Sequence, residues 1–582
     1  MVVFPRCIAL HSHCYCVMVL ALLTMAAVPA MSQSALSGAG RQDIAGATDT
    51  ALRQRRPDTV RAGERPPPKT GAEELERASP PDEKADDADA RVTFTVTTLR
   101  YTGNTVLSKA ELAQLGRPYE HRKVTLTQLR KLCLVVRDAY RKRGYLLARA
   151  GVPPQRVKGG HVTIAISEGR YGRVTVEGNR FYDDDFILRF FSAAMEDPIV
   201  RKSNVERALL ILNSFSDLSV RSVFDIGKKP GTTDVVLKVK DSRPLHVGFD
   251  YNNYGNDLVG RNRAGLSLWA GNLSMDGDEL YVHLTDSFPG KSPLWSQVSY
   301  TMPLGHHGDR FNANYLDAKT KVDGQFAILD ISGKAKIYGF SWGHPLRRST
   351  TSTSNFTTAL VVKDVDNFIF GNQVVSNDRL REVTLGYDRN WVGDRSRLAH
   401  TIVVTQGLGT AFEGTRNGDP LSSRPGAFAG NGFSKLNTEL SHVTQLSKQT
   451  FLFLRLDGQG SNRPLTTPEQ YALGGADSVR GFVQSEFLAD DAASGSAELR
   501  GNLLDQDLFH LQAVGFVDGG TGRIKNALVN ETASRTLAGA GAGLRISYSN
   551  TVTGRLDVGF PVHGSVAADR PSVVYGQLIS KF

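Results

Sequence analysis

The chain has 582 residues, enough for several domains. Lysine and arginine exceed aspartate and glutamate by 10, with both signs mixed along most of the length, so no nucleic-acid footprint is read. Mean hydropathy is −0.25 and no long apolar run follows the N-terminus; this argues against transmembrane helices but not against a transmembrane barrel, whose alternating strands score weakly.

Residues 1–30 read as a secretory signal peptide. Arg6 supplies positive charge, 14–28 is an apolar core, and Val28-Pro29-Ala30 resembles a small-residue cleavage site. Cys7, Cys14 and Cys16 leave with the signal, so the mature chain keeps Cys133 and has no intramolecular disulfide. Cys133 shares an apolar helix face with Leu129, Val136 and Tyr140 and is read as a core residue.

Residues 31–91 do not read as a domain. The stretch 43–56 has the spacing of one short amphipathic helix, and Pro66-Pro67-Pro68 opens a linker that is acidic from Glu73 to Asp89. Few large apolar residues are present to offset the entropy of ordering it. Two readings stay open: a plain disordered tether, or a helix that docks elsewhere.

From Val92 the pattern changes. A β-rich stretch over 92–101 ends in a Gly103-Asn104 turn, and Ser108 with Glu111 forms a capping box for a short helix. Leu129, Leu132, Cys133, Val136, Ala139 and Tyr140 then repeat at helical spacing up to Gly144. Strands over 145–152 and 161–167 close a β-α-α-β-β module at 92–169. The order repeats at 170–243, where Gly178-Asn179 echoes Gly103-Asn104, and a period of about 75 residues argues for tandem domains. Asp183-Asp184-Asp185 stands at a helix start and is read as a dipole-favoured N-terminus, not a cation site.

Beyond Leu245 period-two alternation takes over. Val247, Phe249 and Tyr251 oppose His246, Asp250 and Asn252; Leu452, Leu454 and Leu456 oppose Arg455, Asp457 and Gln459; Leu556, Val558 and Phe560 oppose Arg555 and Asp557. Apolar side chains outside and charges inside are the signature of a membrane barrel. About sixteen such segments are read. Short connections, such as 272–278, 303–308 and 445–448, alternate with long ones at 318–333, 365–381, 408–432, 460–491 and 519–536. The terminal Phe582 on a β-rich segment resembles the signal read by the barrel-assembly machinery, although Ser580 interrupts the apolar register.

Val479-Arg480-Gly481-Phe482 stands in the longest late connection, and its arginine needs a partner. Asp518, in Phe516-Val517-Asp518-Gly519-Gly520, is a carboxylate on an inward face. From the residues alone two pairings remain open: Arg480 with Asp518 inside the barrel, or a solvent-facing Arg480 with Asp518 paired to another lumen arginine such as Arg545. No Gly-x-Ser-x-Gly elbow and no His-Glu-x-x-His motif is found. The Gly539, Gly541 and Gly543 spacing is not that of a nucleotide loop, and His306-His307, in an expected periplasmic turn, is not assigned to a metal. No catalytic residue, metal or cofactor is therefore assigned, and the chain is not read as an enzyme.

Two β-α-α-β-β repeats followed by a barrel with these motifs resemble the outer-membrane transporters of two-partner secretion, the ShlB/FhaC/HecB haemolysin secretion/activation family (TpsB). The likeness covers 92–582. It implies a mainly β fold: a 16-stranded antiparallel transmembrane β-barrel at 244–582, preceded by two periplasmic α+β POTRA domains at 92–169 and 170–243. Val479, Arg480, Gly481 and Phe482 match the family's motif in the sixth outer loop, here 460–491; Phe516, Asp518 and Gly520 match the inward motif of the thirteenth strand. Ala497-Glu498-Leu499-Arg500 resembles its twelfth strand, and 43–56 stands where members carry a plug helix. The implied function is capture of an unfolded secretory partner by the POTRA domains and its passage to the cell surface. The implied partners are a large secreted β-helical exoprotein of haemolysin or adhesin type, outer-membrane lipid, and the barrel-assembly machinery. The alternatives are a barrel-assembly insertase of the same superfamily, which typically carries more or different repeats, and a passive porin, for which the repeats have no use.

Overall fold

Two short strands, β1 (Thr93–Val96) and β2 (Thr98–Thr102), open the first module of the computed structural model. The structure describes residues 93–582 except 256–259, 289–293, 323, 530, 550 and 565–570. The expected signal peptide and the 43–56 helix lie outside the described residues.

Helix α1 (Lys109–Gly116) starts at Ser108, whose hydroxyl accepts from the Glu111 amide at 3.2 Å while the Glu111 carboxylate accepts from the Ser108 amide at 2.9 Å. Helix α2 (Leu126–Lys142) carries a second capping box, Thr125 with Gln128. Capping of this kind satisfies amide donors that the first helical turn leaves without partners. Between the helices lies β3 (Arg122–Thr125), paired with β1 and not foreseen from the sequence. β4 (Arg149–Gly151) and β5 (His161–Ser167) complete the module in a sheet ordered β2-β5-β4. Leu129, Leu132, Val136 and Tyr140 are buried in its core, and Cys133 is buried with them.

Glu168 fixes the loop after β2. Its carboxylate accepts from the amides of Thr105 (2.6 Å) and Val106 (2.9 Å), from the Tyr140 hydroxyl (2.7 Å) and from the Thr105 hydroxyl. Burial pushes its pKa up, but these hydrogen bonds outweigh burial and hold it below the usual glutamate value.

The second module repeats the order: β6 (Arg170–Glu177), α3 (Asp184–Met195), α4 (Lys202–Leu212), β7 (Leu218–Ile226) and β8 (Thr232–Asp241). Its sheet runs β6-β8-β7, with β6 and β8 parallel and β7 and β8 antiparallel. Phe186, Phe190, Phe191, Leu209 and Phe215 fill its core. Asp183 stands at the N-cap position of α3 with Asp184 and Asp185 in the first turn, as the triple-aspartate run implies, and the Asp183 amide donates to Asp276 at 2.7 Å.

Sixteen strands then close a barrel among the described residues. They are β9 (Leu245–Asn252), β10 (Asn262–Gly271), β11 (Glu279–Phe288), β12 (Leu294–Leu304), β13 (Asp309–Lys321), β14 (Ser332–Arg348), β15 (Ser352–Ile369), β16 (Gln373–Val392), β17 (Ser396–Gly407), β18 (Ser434–Gln445), β19 (Thr450–Ser461), then, after a folded loop, β22 (Asp491–Asp505), β23 (Phe509–Arg523), β24 (Ser534–Tyr548), β25 (Val552–His563) and β26 (Val573–Lys581). The loop holds its own hairpin, β20 (Tyr471–Leu473) and β21 (Phe487–Ala489).

All neighbouring barrel strands are antiparallel, and β26 pairs with β9 to close the cylinder. At that seam Ser580 faces Phe249, and its hydroxyl donates to the Phe249 carbonyl at 3.2 Å. The serine that breaks the apolar register thus bonds the closing edge. Phe249, Leu456, Leu556 and Phe560 are exposed on the outer surface, whereas Asn252, Gln459 and Asp557 are buried inside. That is the inverted alternation read from the sequence.

Two expectations need correction: of the strand expected over 145–152, only Arg149–Gly151 forms. The stretch 365–381 is not a long loop: β15 and β16 run through it, 18 and 20 residues long, and only 370–372 connect them. Cross-strand ion pairs hold this extension, Arg379 to Asp366 at 3.0 Å and Arg381 to Asp364 at 2.8 Å. At roughly 3.3 Å per residue these strands greatly exceed a bilayer's hydrocarbon core.

Candidate functional site

The connection between β19 and β22, residues 462–490, folds into the barrel instead of standing away from it. Its hairpin has an apolar core: Tyr471, Leu473, Val479, Phe482, Phe487 and Ala489 pack with Ala492 and Leu537 of the wall. Val479 and Phe482, the apolar ends of the motif, are both fully buried. Arg480, between them, points at the wall.

Its guanidinium meets Asp518 side-on. Nε donates to Asp518 Oδ2 at 2.7 Å and Nη2 to Oδ1 at 2.8 Å, while the Arg480 backbone amide donates to Oδ2 at 3.0 Å. A planar donor fork matched to both carboxylate oxygens fixes orientation as well as charge. Nη1 reaches Glu498 Oε1 at 2.7 Å and Asp557 Oδ2 at 3.2 Å, and Nη2 reaches Ser496 Oγ at 3.0 Å. The guanidinium carbon lies 3.4 Å from the centre of the Phe516 ring, a cation–π contact. The Arg480 and Asp518 side chains are 3% and 0% exposed.

The alternative partner from the sequence, Arg545, does not pair with Asp518. It bonds Asp557 at 2.5 Å and Glu498 at 3.3 Å. Arg500 bonds Glu498 at 2.8 Å, and Arg555 bonds Asp557 at 2.6 Å. The anchorage is therefore a network in which Arg480 is the member contributed by the loop tip. Arg480 and Asp518 are legible in the sequence as a candidate pair; Phe516 and Glu498 stand out there only through the resemblance, and Arg555 and Asp557 are placed on the inner face without a task.

Backbone shape completes the seat. Gly481 has φ of +102°, a conformation that L side chains rarely adopt, and its amide donates to the Tyr575 hydroxyl at 3.0 Å. The Tyr575 hydroxyl in turn donates to the Phe482 carbonyl at 2.5 Å. On the facing wall a Cβ at Gly539 would fall on the Arg480 carbonyl, and one at Gly541 would meet the Phe516 ring. The inward glycines of β24 thus clear a groove for the loop tip. Gly520, third in its motif, leaves room for Leu473 of the hairpin.

The loop has further ties that the sequence did not reveal. Asp490 accepts from Arg424 of the 408–433 connection at 2.8 Å, from the Leu465 amide at 3.0 Å and from the Lys525 amide at 2.7 Å. Glu469 accepts from Lys363 of β15 and from Lys435 of β18 at 2.6 Å. Cations from three other parts of the barrel thus hold the base of the loop.

A closed sixteen-strand barrel with a loop anchored inside it, carrying β-α-α-β-β modules on one rim, is the architecture of an outer-membrane transporter. The chain belongs to the haemolysin secretion/activation protein ShlB/FhaC/HecB family, whose model matches residues 231–546. The ShlB-type POTRA domain matches residues 94–169. Curated relatives include the heme/hemopexin transporter protein HuxB of Haemophilus influenzae, 24% identical over 78% of this chain and 81% of that protein. The outer membrane transporter CdiB of Dickeya dadantii is 24% identical over 85% of this chain and 87% of its own length. The solved structure of CdiB from Escherichia coli aligns with a TM-score of 0.74 at 20% identity, covering 92% of this chain and 99% of that one. The protein is an outer-membrane transporter of two-partner secretion that secretes a partner protein, with its POTRA domain in the periplasm. The rim that carries the modules is thus the periplasmic one, and loop 462–490 is the sixth outer loop.

Proposed function

We propose that the modules at 92–169 and 170–243 capture an unfolded, β-helical exoprotein of haemolysin, adhesin or contact-inhibition type, and that the sixth loop keeps the pore at rest until it arrives. The observation that carries this reading is Arg480: a loop-tip cation buried among Asp518, Glu498 and Asp557 on strands β22, β23 and β25. A pairing of this kind adds little net stability, because two charges leave water to form it. It defines one position for the loop. Release requires the whole network to let go together, which suits a two-state pore better than a graded one. An extended cargo segment adds to an exposed sheet edge through backbone hydrogen bonds, without demanding a fixed sequence. Insertion of the barrel itself is assigned to the barrel-assembly machinery acting on β26 (Val573–Lys581).

Deletion of 92–169 tests the capture step. Export of the partner falls to background while the barrel still inserts; undiminished export contradicts capture by the first module.

A further inference from the structure

The second module docks on the periplasmic rim through the short turns. Arg207 of α4 donates to the Pro345 carbonyl at 2.7 Å, and Arg310 donates to the Ser214 carbonyl at 2.8 Å while lying 4.8 Å from the Phe215 ring centre. The turn between β12 and β13, residues 305–308, is packed into this interface: a Cβ at Gly308 would lie 3.1 Å from Ile211 of α4. The tight turn leaves His306 and His307 side by side, ring centres 4.2 Å apart, facing Glu196 just beyond the end of α3.

We propose that Glu196, His306 and His307 form a zinc site that clasps the second module to the barrel. His306 Nε2 and His307 Nε2 lie 3.1 and 3.4 Å from the same oxygen, Glu196 Oε1. Zinc binds imidazole nitrogen and carboxylate oxygen at about 2.0–2.2 Å, so the edge of its tetrahedron is about 3.3 Å. These two distances match it, and the three ligand atoms all lie within 4.8 Å of one another. The side chains are 38%, 46% and 58% exposed for His306, His307 and Glu196, which gives the ion an entry path and a water for its fourth position. Two neutral imidazoles and one carboxylate suit a borderline cation such as Zn2+ better than calcium or magnesium, which prefer all-oxygen shells. The ligands come from two bodies, so binding free energy becomes docking free energy. Nothing in this site depends on the sixth loop.

The test is zinc titration of the full-length protein in detergent micelles after chelator treatment, read by calorimetry and by hydrogen exchange over 305–308. One Zn2+ per chain is expected, with slowed exchange of that turn on loading. H306A, H307A and E196A are each expected to weaken binding at least tenfold, with heat-modifiable gel migration showing that the barrel stays folded. Absence of stoichiometric binding, or equal binding in the three variants and the parent, overturns the site. Binding lost with either histidine but retained in E196A overturns the clasp between the two bodies.

Discussion

Arg480 is bonded to carboxylates on three different strands, and this changes what a charge exchange does. A partner swap restores a pair only when the two residues stand alone. In the R480D/D518R double variant, the new aspartate faces Glu498 and Asp557 at the positions where Arg480 bonds them at 2.7 and 3.2 Å. The pore is therefore expected to lose its resting closure in R480D, in D518R and in the double variant alike, when conductance is measured in planar bilayers. Full rescue by the double swap would mean that Glu498 and Asp557 have no part in the anchorage. The sequence carried Arg480 and Asp518 but not this network, for a physical reason. Alternation says which face a side chain occupies. It does not say at what height it meets residues on strands two or three away, because that depends on the strand tilt and stagger of the closed barrel.

The strands show the same limit on a larger scale. The polar stretch 365–381 reads as a loop because it lacks apolar alternation, yet its backbone continues the β15–β16 ladder. Strand above the membrane has no lipid to face, so the pattern that reveals strands is lost there while pairing goes on. The 145–152 segment errs in the other direction: only Arg149–Gly151 pairs, at the end of a three-stranded sheet. The helices were legible because caps and apolar spacing agree, as at Ser108 and Thr125.

Two further predictions concern elements. A valine in place of Gly539 of β24 puts a side chain on the Arg480 carbonyl. In S478C, where the thiol is added at a buried loop position, Gly539→Val is expected to raise labelling by an external thiol reagent several-fold; unchanged labelling would show that the groove does not seat the loop. In the first module Glu168→Gln keeps the shape but removes the charge that four donors hold. The expected loss is about 1–3 kcal/mol, seen as faster hydrogen exchange over 103–107. The depressed Glu168 pKa also sets a sign: its contribution is fully present above the unfolded value of 4.5 and disappears as pH falls through the folded one. The E168Q protein should lose that part of the acid dependence.

Over the whole molecule, the docking contacts join one module and one pore into a connected path. The second module touches the rim at one turn and two strand ends, through Asp276, Arg310 and the Pro345 carbonyl. The sixth loop hangs from the far end and reaches the wall through Arg480. In the function proposed above, cargo captured on the periplasmic side meets a barrel that holds its own loop, and that loop leaves its seat for secretion. Removing the loop-tip cation takes from buried Asp518 the arginine it pairs with, at a cost to the seated state of about 3–5 kcal/mol, while Glu498 and Asp557 keep Arg500, Arg545 and Arg555. The most direct measurement is single-channel conductance of the purified full-length protein in planar bilayers, parent against R480A. Longer and larger openings in R480A are the predicted result. Traces indistinguishable from the parent would contradict the claim that Arg480 holds the pore at rest.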